Sequence, residues 1–193
     1  MTDSYCPTPA DFDDQPVLES ARVHLSPLKV EDIQALADAA SDPKIWAGHP
    51  ATDRWKPEVF KPYATFLLEN GGTLVVRRCA GDTEVLGCSR YYSAPDHPDD
   101  ISIGFTFLRA STWGGHMNRA MKTLMLDHAF AARDTVWLHI DPDNIRSQRA
   151  TAKLGAVYVD TKRLILAPNA ADYACYRLTI EEWRAAQAQH DGA

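Results

Sequence analysis

The sequence predicts an α/β domain with a mixed, mostly antiparallel sheet of about seven strands and helices on both faces. Two kinds of apolar spacing support this: alternation, which is typical of strands, and recurrence every three or four residues, which is typical of helices. Strands follow one another directly in the middle of the chain, whereas the strand DTVWLHI has a helical pattern on either side. Because parallel strands need a crossover connection, this order indicates both antiparallel and parallel pairing.

In the first half of the chain, helix ends are marked by residues that do not continue a helix. Asp42-Pro43 ends the first helical pattern, because proline restricts the residue before it, and Gly71 and Gly72 end the second. The predicted elements are the strand PVLESARVHLSPL, the helix KVEDIQALADAASD, a long loop or broken helix DPKIWAGHPATDRWKP and the helix PEVFKPYATFLLENGG.

Three further strands are predicted after Gly72. TLVVRRC and EVLGCSRYY flank Ala80-Gly81-Asp82, which predicts a hairpin, and Gly104 inside DISIGFTFL indicates a bulge or a close approach of the backbone. The remaining predicted elements are the helix within STWGGHMNRAMKTLMLDHAF, the strand DTVWLHI, the helix IRSQRATAKLGA ending at Gly155, the antiparallel strands VYVDTKRLIL and ADYACYRLTI, and the helix EEWRAAQAQH.

Length and composition predict one domain. With 193 residues, 45% hydrophobic and 24% charged, the chain can bury one full core. We expect the domain to span residues 17–190, and residues 1–16, which are polar, acidic and proline-rich, to form a mobile tail. The tail lacks the basic and apolar regions of a signal peptide, and no apolar run of about 18 residues predicts a membrane span.

Charge and cysteine spacing argue against further classes. The formal net charge is −6, whereas nucleic-acid binding needs clustered Lys and Arg, so we expect no nucleic-acid partner. Cys6, Cys79, Cys88 and Cys175 form no Cys-x-x-Cys pair. We therefore expect no redox motif, no metal site and a reduced, cytoplasmic chain. A monomer and a homodimer both stay open.

The glycines in TFLRASTWGGHM lie between a predicted strand and a predicted helix. The first turn of a helix presents unpaired N–H groups and partial positive charge, and glycine lets a ligand approach the main chain. Gly114 and Gly115 therefore predict a phosphate or pyrophosphate site, although a plain turn would use the same residues. Neither a P-loop nor the dinucleotide fingerprint Gly-x-Gly-x-x-Gly is present.

Three segments together resemble the GCN5-related N-acetyltransferase (GNAT) superfamily over roughly residues 17–180, in particular its branch that acetylates ribosomal-protein N-termini and small amines. ISIGFTFL is similar to the family's central acyl-binding strand. STWGGHMNRAMKTLMLDHAF is similar to its pyrophosphate loop and the following helix, and NIRSQRATAKLGA to its Asn-x-x-Ser helix.

The chain departs from the family pattern at three places. His116 stands where the loop usually has its second glycine, Ser102 where relatives often carry a glutamate base, and Thr151 near the place of a catalytic tyrosine. The resemblance implies an N-acetyltransferase, and the missing Glu and Tyr leave open a coenzyme A-binding regulator or pseudoenzyme on the same fold.

The resemblance implies acetyl-CoA as the donor and a primary amine, on a protein N-terminus or a small molecule, as the acceptor. The pantetheine arm would lie along the central strand and the pyrophosphate over the glycine loop. The amine would attack the thioester directly, without a covalent enzyme intermediate and without a metal. The residues expected to bind the donor are Phe105, Thr106, Phe107, Leu108, Trp113, Gly114, Gly115, His116, Met117, Asn118, Arg119, Asn144 and Ser147.

Three residues are candidates for the chemistry. His139 in VWLHIDPDN resembles a histidine base of some N-terminal acetyltransferases, and the alternative is a histidine packed on the sheet. Asn144 would cap the next helix and could also bond to the pantetheine amide. Ser147 would protonate the departing thiolate or be an ordinary helix serine. Weaker candidates for the base are His97, Asp99 and Asp100.

The resemblance places the acceptor between the first two helices and the hairpin. The aromatic residues of this region are Trp46, Trp55, Tyr91 and Tyr92, of which one or two would line a pocket while the others pack. A basic helix face, either contacting coenzyme A phosphates or solvated, would be formed by Arg146, Arg149 and Lys153.

Overall fold

The computed structural model describes residues 5–191 of the chain. Its strands are β1 (Leu18–Glu19), β2 (His24–Pro27), β3 (Thr73–Arg77), β4 (Gly87–Tyr92), β5 (Ile101–Leu108), β6 (Thr135–Ile140), β7 (Val157–Leu164) and β8 (Ala171–Thr179). Its α-helices are α1 (Ile33–Ala40), α2 (Pro43–Trp46), α3 (Pro57–Glu69), α4 (Met117–Phe130), α5 (Ile145–Ala152) and α6 (Ile180–Asp191). The strands form one sheet with the spatial order β1-β2-β3-β4-β5-β6-β8-β7.

The predicted mixed, mostly antiparallel sheet is confirmed. Within residues 5–191, all neighbouring strands are antiparallel except β5 and β6. The sheet has eight strands rather than about seven, because the first predicted strand turns and pairs with itself. In that turn the Ser20 N–H donates to the Val23 carbonyl (2.9 Å) and the Ser20 Oγ accepts from the Arg22 N–H (3.3 Å).

Helices cover both faces of the sheet, as predicted. Met121 of α4 belongs to the buried cluster on one face, and Leu36 of α1 to the buried cluster on the other. The neighbouring residues Val75 and Val76 of β3 are divided between these two clusters, since side chains alternate along a strand. No helix within residues 5–191 combines the length and apolar character needed to cross a lipid bilayer.

Residues 5–16, expected to belong to a mobile tail, pack against the domain. Phe12 is 7% exposed and meets the ring of Tyr91 edge-on, with ring centroids 5.2 Å apart. The Tyr5 carbonyl accepts a hydrogen bond from Arg90 Nη2 (2.9 Å), and Asp11 pairs with Arg133 (2.6 Å). This segment is therefore held by both apolar and polar contacts, and residues 1–4 of the expected tail lie outside the described residues.

The parallel strands β5 and β6 separate towards their carboxyl ends. They pair only at Ile101–Val136 and Ser102–Trp137, the first residues of β5. Beyond Ser102 the side of β5 that faces β6 has no strand partner in the sheet. The carboxyl ends of β5 and β6 therefore flank a cleft that exposes main-chain hydrogen-bonding groups of β5.

A β-bulge lies in β5 directly after Gly104. Cys88 and Arg90 of β4 pair with Phe107 and Gly104, so that one β4 residue lies opposite two residues of β5. Phe105, the first residue of the bulge, has φ +52°, a left-handed conformation that is uncommon for a residue with a side chain. The bulge predicted at Gly104 is confirmed. It bends β5 where the strand reaches the mouth of the cleft.

The turn after α3 gives a direct test of the backbone packing behind β4. Gly72 has φ +68°, and a Cβ at this position would lie 2.3 Å from the Tyr91 carbonyl oxygen. Gly81 has φ +82° but nothing within 4 Å of its Cβ position. Because both sites carry the same left-handed strain, we expect Gly72→Ala to lower the free energy of unfolding by roughly 2 kcal/mol more than Gly81→Ala. Denaturant unfolding of the two variants measures this, and equal losses would contradict the close approach.

Candidate active site

A hydrogen-bonded cluster stabilises the bulge from the α4 side of the sheet. Ser89 Oγ and Thr106 Oγ1 lie 2.7 Å apart, and Lys122 Nζ donates to both, at 3.3 Å to Ser89 and 3.0 Å to Thr106. Lys122 is only 6% exposed, and no carboxylate lies within ion-pair distance of it among the described residues. Burial lowers the pKa of Lys122 to about 7. The chain therefore places a buried amine directly behind the bulge of β5.

The glycine loop ends in an open helix N-terminus. Gly114 has φ +73°, and a Cβ there would meet nothing within 4 Å, so the space above it is free. The residue before α4, His116, provides no side-chain cap, and Gly115 is exposed. Arg119 Nη2 is buried without a hydrogen-bond partner. Uncapped N–H groups, free space and an unpaired guanidinium nitrogen together fit an anionic group such as a phosphate.

A cavity of about 430 Å³ lies beside this loop. Its lining includes Trp113, Gly115 and His116 of the loop and two arginines that precede the loop by many residues in the sequence, Arg22 and Arg78. Arg78 also pairs with Glu84 at the surface (3.4 Å). Sequence reasoning did not find these two arginines, because only the folded sheet places the β1–β2 turn and the end of β3 next to the loop.

Trp113 connects the glycine loop to both sides of the cleft. Its Nε1 donates to the Leu108 carbonyl (3.0 Å), and Arg146 of α5 lies over its ring, 4.2 Å from the centroid. Arg146 Nη2 also donates to the Ile45 carbonyl (2.8 Å) at α2. Since Trp113 is 40% exposed, it forms part of the wall of the cleft rather than of the core. Arg146 is thus held by protein contacts, and Arg149 and Lys153 of the same predicted basic face are exposed.

The cap predicted at the start of α5 is present. Asn144 is 8% exposed, and its Oδ1 accepts from the Ser147 N–H (3.1 Å). Ser147 lies half-buried in the first turn, next to the open end of β6. Asn144 is therefore the helix cap, as predicted, and Ser147 lies in the first turn that this cap begins.

His139 lies behind the bulge and is connected to it by Tyr92. His139 Nδ1 is 3.0 Å from Tyr92 Oη, and the His139 side chain is 0% exposed. A Cβ at Gly104 would lie 3.1 Å from the same Tyr92 oxygen. Burial lowers the pKa of His139 to about 4, so the imidazole is neutral at neutral pH. The predicted base is therefore a neutral imidazole that reaches the strand through a tyrosine.

The four aromatic residues predicted for the acceptor region do not form one pocket. Tyr91 lies on the opposite face of the sheet, where its Oη donates to the Met125 carbonyl (2.8 Å). Trp46 is buried, with its Nε1 donating to the Ala40 carbonyl (2.8 Å) and its ring 5.3 Å from that of Phe107. Trp55 is 36% exposed. Of the four, Tyr92 is the one beside His139 and the bulge.

The weaker candidates for the base lie in the loop before β5, where they make structural contacts. His97 stacks on Trp137 with ring centroids 3.8 Å apart, and Asp100 accepts from Trp137 Nε1 (2.9 Å). The Asp99 carbonyl accepts from Arg133 (2.9 Å). The side chains of His97 and Asp100 and the main chain of Asp99 thus hold this loop against Trp137 and Arg133.

A second polar group that sequence reasoning missed lies between α2 and α3. Arg54 lies over the ring of Tyr63, 3.9 Å from its centroid, and also 5.2 Å from that of Trp46. His49 Nε2 is 3.4 Å from Arg54, and burial, with the charge of Arg54, lowers its pKa to about 4. Arg54 and His49 lie in the stretch predicted as a long loop, where no periodicity indicates which side chains point inward.

Comparison with known proteins agrees with this architecture. Residues 22–157 match the family described as Acetyltransferase (GNAT) domain. The chain therefore belongs to the GNAT acetyltransferase family, and the predicted resemblance is confirmed. No curated protein matches the chain significantly in sequence.

Solved structures of acetyltransferases share the fold. One, a proposed acetyltransferase from T. thermophilus, has a TM-score of 0.67 and 26% identity, covering 91% of this chain and 95% of that one. RimJ of Mycobacterium smegmatis, in complex with CoA-disulfide, has a TM-score of 0.62 and 20% identity, covering 88% of each chain. The ribosomal-protein-S5-alanine acetyltransferase of Vibrio fischeri has a TM-score of 0.60 and 18% identity, covering 88% of this chain and 99% of that one.

Proposed function

We propose that the protein is an N-acetyltransferase that moves an acetyl group from acetyl-CoA to a primary amine by direct attack in a ternary complex. Three observations support this most strongly: the bulge in β5, the edge of β5 without a strand partner beyond Ser102, and the uncapped N-terminus of α4 that follows, which would together form a path for the donor. A thioester linked by a long polar arm to a diphosphate fits such a path.

The donor would be bound mostly by main-chain groups. Pantetheine would add beside Phe105–Leu108 like a further strand, which tolerates varied side chains because the bonds are to the backbone. The pyrophosphate would lie over Gly114–Arg119, where Arg119 has a nitrogen without a partner. Asn144 would bond to the pantetheine amide. The solved complex of RimJ with CoA-disulfide supports this choice of donor.

The bulge would provide the electrostatic part of catalysis. A main-chain N–H between Phe105 and Phe107, turned outward by the bulge, would bond to the thioester oxygen as it becomes negative. The cluster of Ser89, Thr106 and Lys122 keeps this segment in place before the donor arrives. Much of the rate would come from holding amine and thioester together, which replaces a bimolecular encounter by a step within one complex.

Proton transfer would run through Tyr92 to His139. A neutral amine attacks, and the ammonium that forms loses its proton to Tyr92 as the Tyr92 hydroxyl proton passes to His139 Nδ1. Because burial lowers the pKa of His139, its imidazole is neutral at neutral pH and has one ring nitrogen that can accept a proton; the relay would use the tautomer in which that nitrogen is Nδ1. Ser147, at the first turn of α5, would protonate the thiolate of coenzyme A as it departs.

The acceptor is proposed only as a class: an amine on a protein N-terminus or a small molecule. The Vibrio fischeri protein named for ribosomal-protein S5 alanine supports the first, and the formal net charge of −6 favours a cationic acceptor in either case. Four free cysteines without a disulfide agree with action in the cytoplasm.

Donor binding is tested by Gly114→Glu, with Gly114→Gln as the matched control. Both side chains introduce the same strain at φ +73°, but only Glu places a negative charge where the pyrophosphate would lie. We expect Gly114→Glu to raise the acetyl-CoA dissociation constant about tenfold or more over Gly114→Gln, or roughly 1.4 kcal/mol. Titration calorimetry measures this, and equal affinities of the two variants would contradict the phosphate site.

Turnover is tested by incubating the protein with acetyl-CoA and a panel of peptides and small amines. We expect release of the coenzyme A thiol together with an acetylated amine, which is identified by its increase in mass. Tight acetyl-CoA binding without turnover on any amine would favour the alternative, a coenzyme A-binding regulator on the same fold.

A further inference from the structure

Three side chains of types that bind metal ions lie close together behind Tyr92. The ligand atoms of Asp96, His139 and Cys175 all lie within 4.8 Å of one another. His139 and Cys175 are directly paired across β6 and β8, and Asp96 belongs to the loop that covers them. In the sequence these residues are far apart, and cysteine spacing alone predicted no metal site.

Two of these ligand atoms are buried without partners. His139 Nε2 and Asp96 Oδ1 are 3.9 Å apart, and neither makes a hydrogen bond within the described part of the chain. The His139 side chain is 0% exposed. Burying a polar atom without a partner is unfavourable, so two such atoms facing each other indicate a missing group between them.

The surroundings favour a cation. Asp160 of β7 is paired with Cys175 of β8, so that His139, Cys175 and Asp160 form a row across three strands. Asp160 Oδ1 is also buried without a partner. Lys162 Nζ contacts Asp96 Oδ2 (3.0 Å) and lies 3.6 Å from Asp160 Oδ2, which leaves the two Oδ1 atoms free. Two carboxylates and one thiolate against one lysine leave an excess of negative charge that a divalent cation would neutralise.

We infer that Asp96, His139 and Cys175 bind a divalent transition-metal ion of the zinc class. Carboxylate, imidazole and thiolate are the ligands that zinc takes, and three protein ligands leave a fourth position for water or Asp160. On binding, Cys175 gives up its thiol proton to solvent. His139 would bind through Nε2, while its Nδ1 carries the proton and donates to Tyr92 Oη, the kind of outer contact that fixes a metal-ligating histidine.

Metal binding would also affect catalysis, and this step rests on the proposed function, in which His139 accepts a proton from Tyr92. With the metal on Nε2 and a proton on Nδ1, His139 cannot accept the proton that Tyr92 would pass on. Metal loading and proton transfer through His139 therefore exclude each other, and the ion would switch acetyl transfer off.

Metal binding is tested on the intact chain without any substrate. After chelation and removal of the chelator, the protein is titrated with Co²⁺ alone, which reports thiolate ligation as a charge-transfer band. We expect saturation at one ion per chain. Cys175→Ser should abolish the band, whereas Cys79→Ser, which changes an exposed cysteine, should leave it unchanged. His139→Asn, which keeps a polar atom towards Tyr92 but removes Nε2, should weaken binding about tenfold or more.

The absence of a band in the parent protein, or an equal band in Cys175→Ser, would overturn the metal site. If Cys175→Ser does not fold, judged by circular dichroism, Asp96→Asn replaces it, and unchanged Co²⁺ affinity in that variant would overturn the site in the same way. Acetyl transfer with and without Zn²⁺ is measured separately. A protein that binds Co²⁺ through Cys175 but acetylates no amine would keep the metal site and remove only the proposed function.

Discussion

Lys122→Met is expected to raise the free energy of unfolding at neutral pH by about 2–4 kcal/mol, because it removes a charge that the fold buries without a carboxylate partner. Ser89 and Thr106 keep their mutual hydrogen bond at 2.7 Å, so the substitution leaves no hydroxyl without a partner. Lys153→Met, at an exposed position just after α5, is the matched control and should change stability little.

The lowered pKa of Lys122 also predicts how the free energy of unfolding changes with pH. Burial lowers the pKa of Lys122 from 10.5 to about 7, so the unfolded chain binds a proton at this site throughout that interval while the folded chain does not. This lysine therefore makes the parent protein more stable as pH rises from about 7 to 10.5, and less stable as pH falls. Lys122→Met should remove that slope.

Denaturant unfolding of the parent protein and both variants at neutral and alkaline pH measures the two effects. A Lys122→Met protein that is less stable than the parent at neutral pH would show that the bonds to Ser89 and Thr106 outweigh the buried charge. If the variant is more stable but transfers acetyl groups more slowly, Lys122 holds the bulge in its active conformation at a cost in stability.

The second large effect is expected in turnover. His139→Asn keeps a polar atom near Tyr92 Oη but removes the ring that accepts the proton, and Tyr92→Phe removes the hydroxyl that passes it on. We expect each to lower kcat about 100-fold while the acetyl-CoA dissociation constant changes by no more than about twofold. Because the two residues would act in series, the double variant should lose little more than either single one.

Steady-state kinetics with the best amine from the panel and calorimetry of acetyl-CoA binding separate kcat from affinity. His97→Asn serves as the control, since His97 stacks on Trp137 and makes no bond to Tyr92. Effects of His139→Asn and Tyr92→Phe that multiply in the double variant would contradict a single relay. An unchanged kcat in His139→Asn would remove His139 from the mechanism.

Sequence patterns predicted the parts of the fold that depend on local rules. Alternation and helical spacing located the sheet and its helices, and Gly104 and Asn144 indicated the bulge and the cap because glycine and asparagine have specific backbone roles. The turn at Ser20 was missed because a serine turn leaves no glycine or proline signal. Tyr91 and Tyr92 point to opposite faces of the sheet because side chains alternate along a strand, so alternation alone could have shown that the two residues do not line the same pocket.

The rest of the site depends on long-range contacts that no local pattern contains. Lys122 occupies a helix position beside buried methionines, but lysine is expected at the surface, so its burial becomes visible only when α4 lies against Ser89 and Thr106. Asp96, His139 and Cys175 meet only because β8 inserts next to β6 in the sheet.

A crystal structure of the protein with acetyl-CoA tests the proposed donor site most directly. We expect the diphosphate at the exposed amides that follow Trp113, and the pantetheine chain hydrogen-bonded to the edge of β5 past its bulge, with the acetyl group near Tyr92. Acetyl-CoA bound elsewhere on the molecule, or a cleft that stays closed by its own side chains at saturating donor, would contradict it.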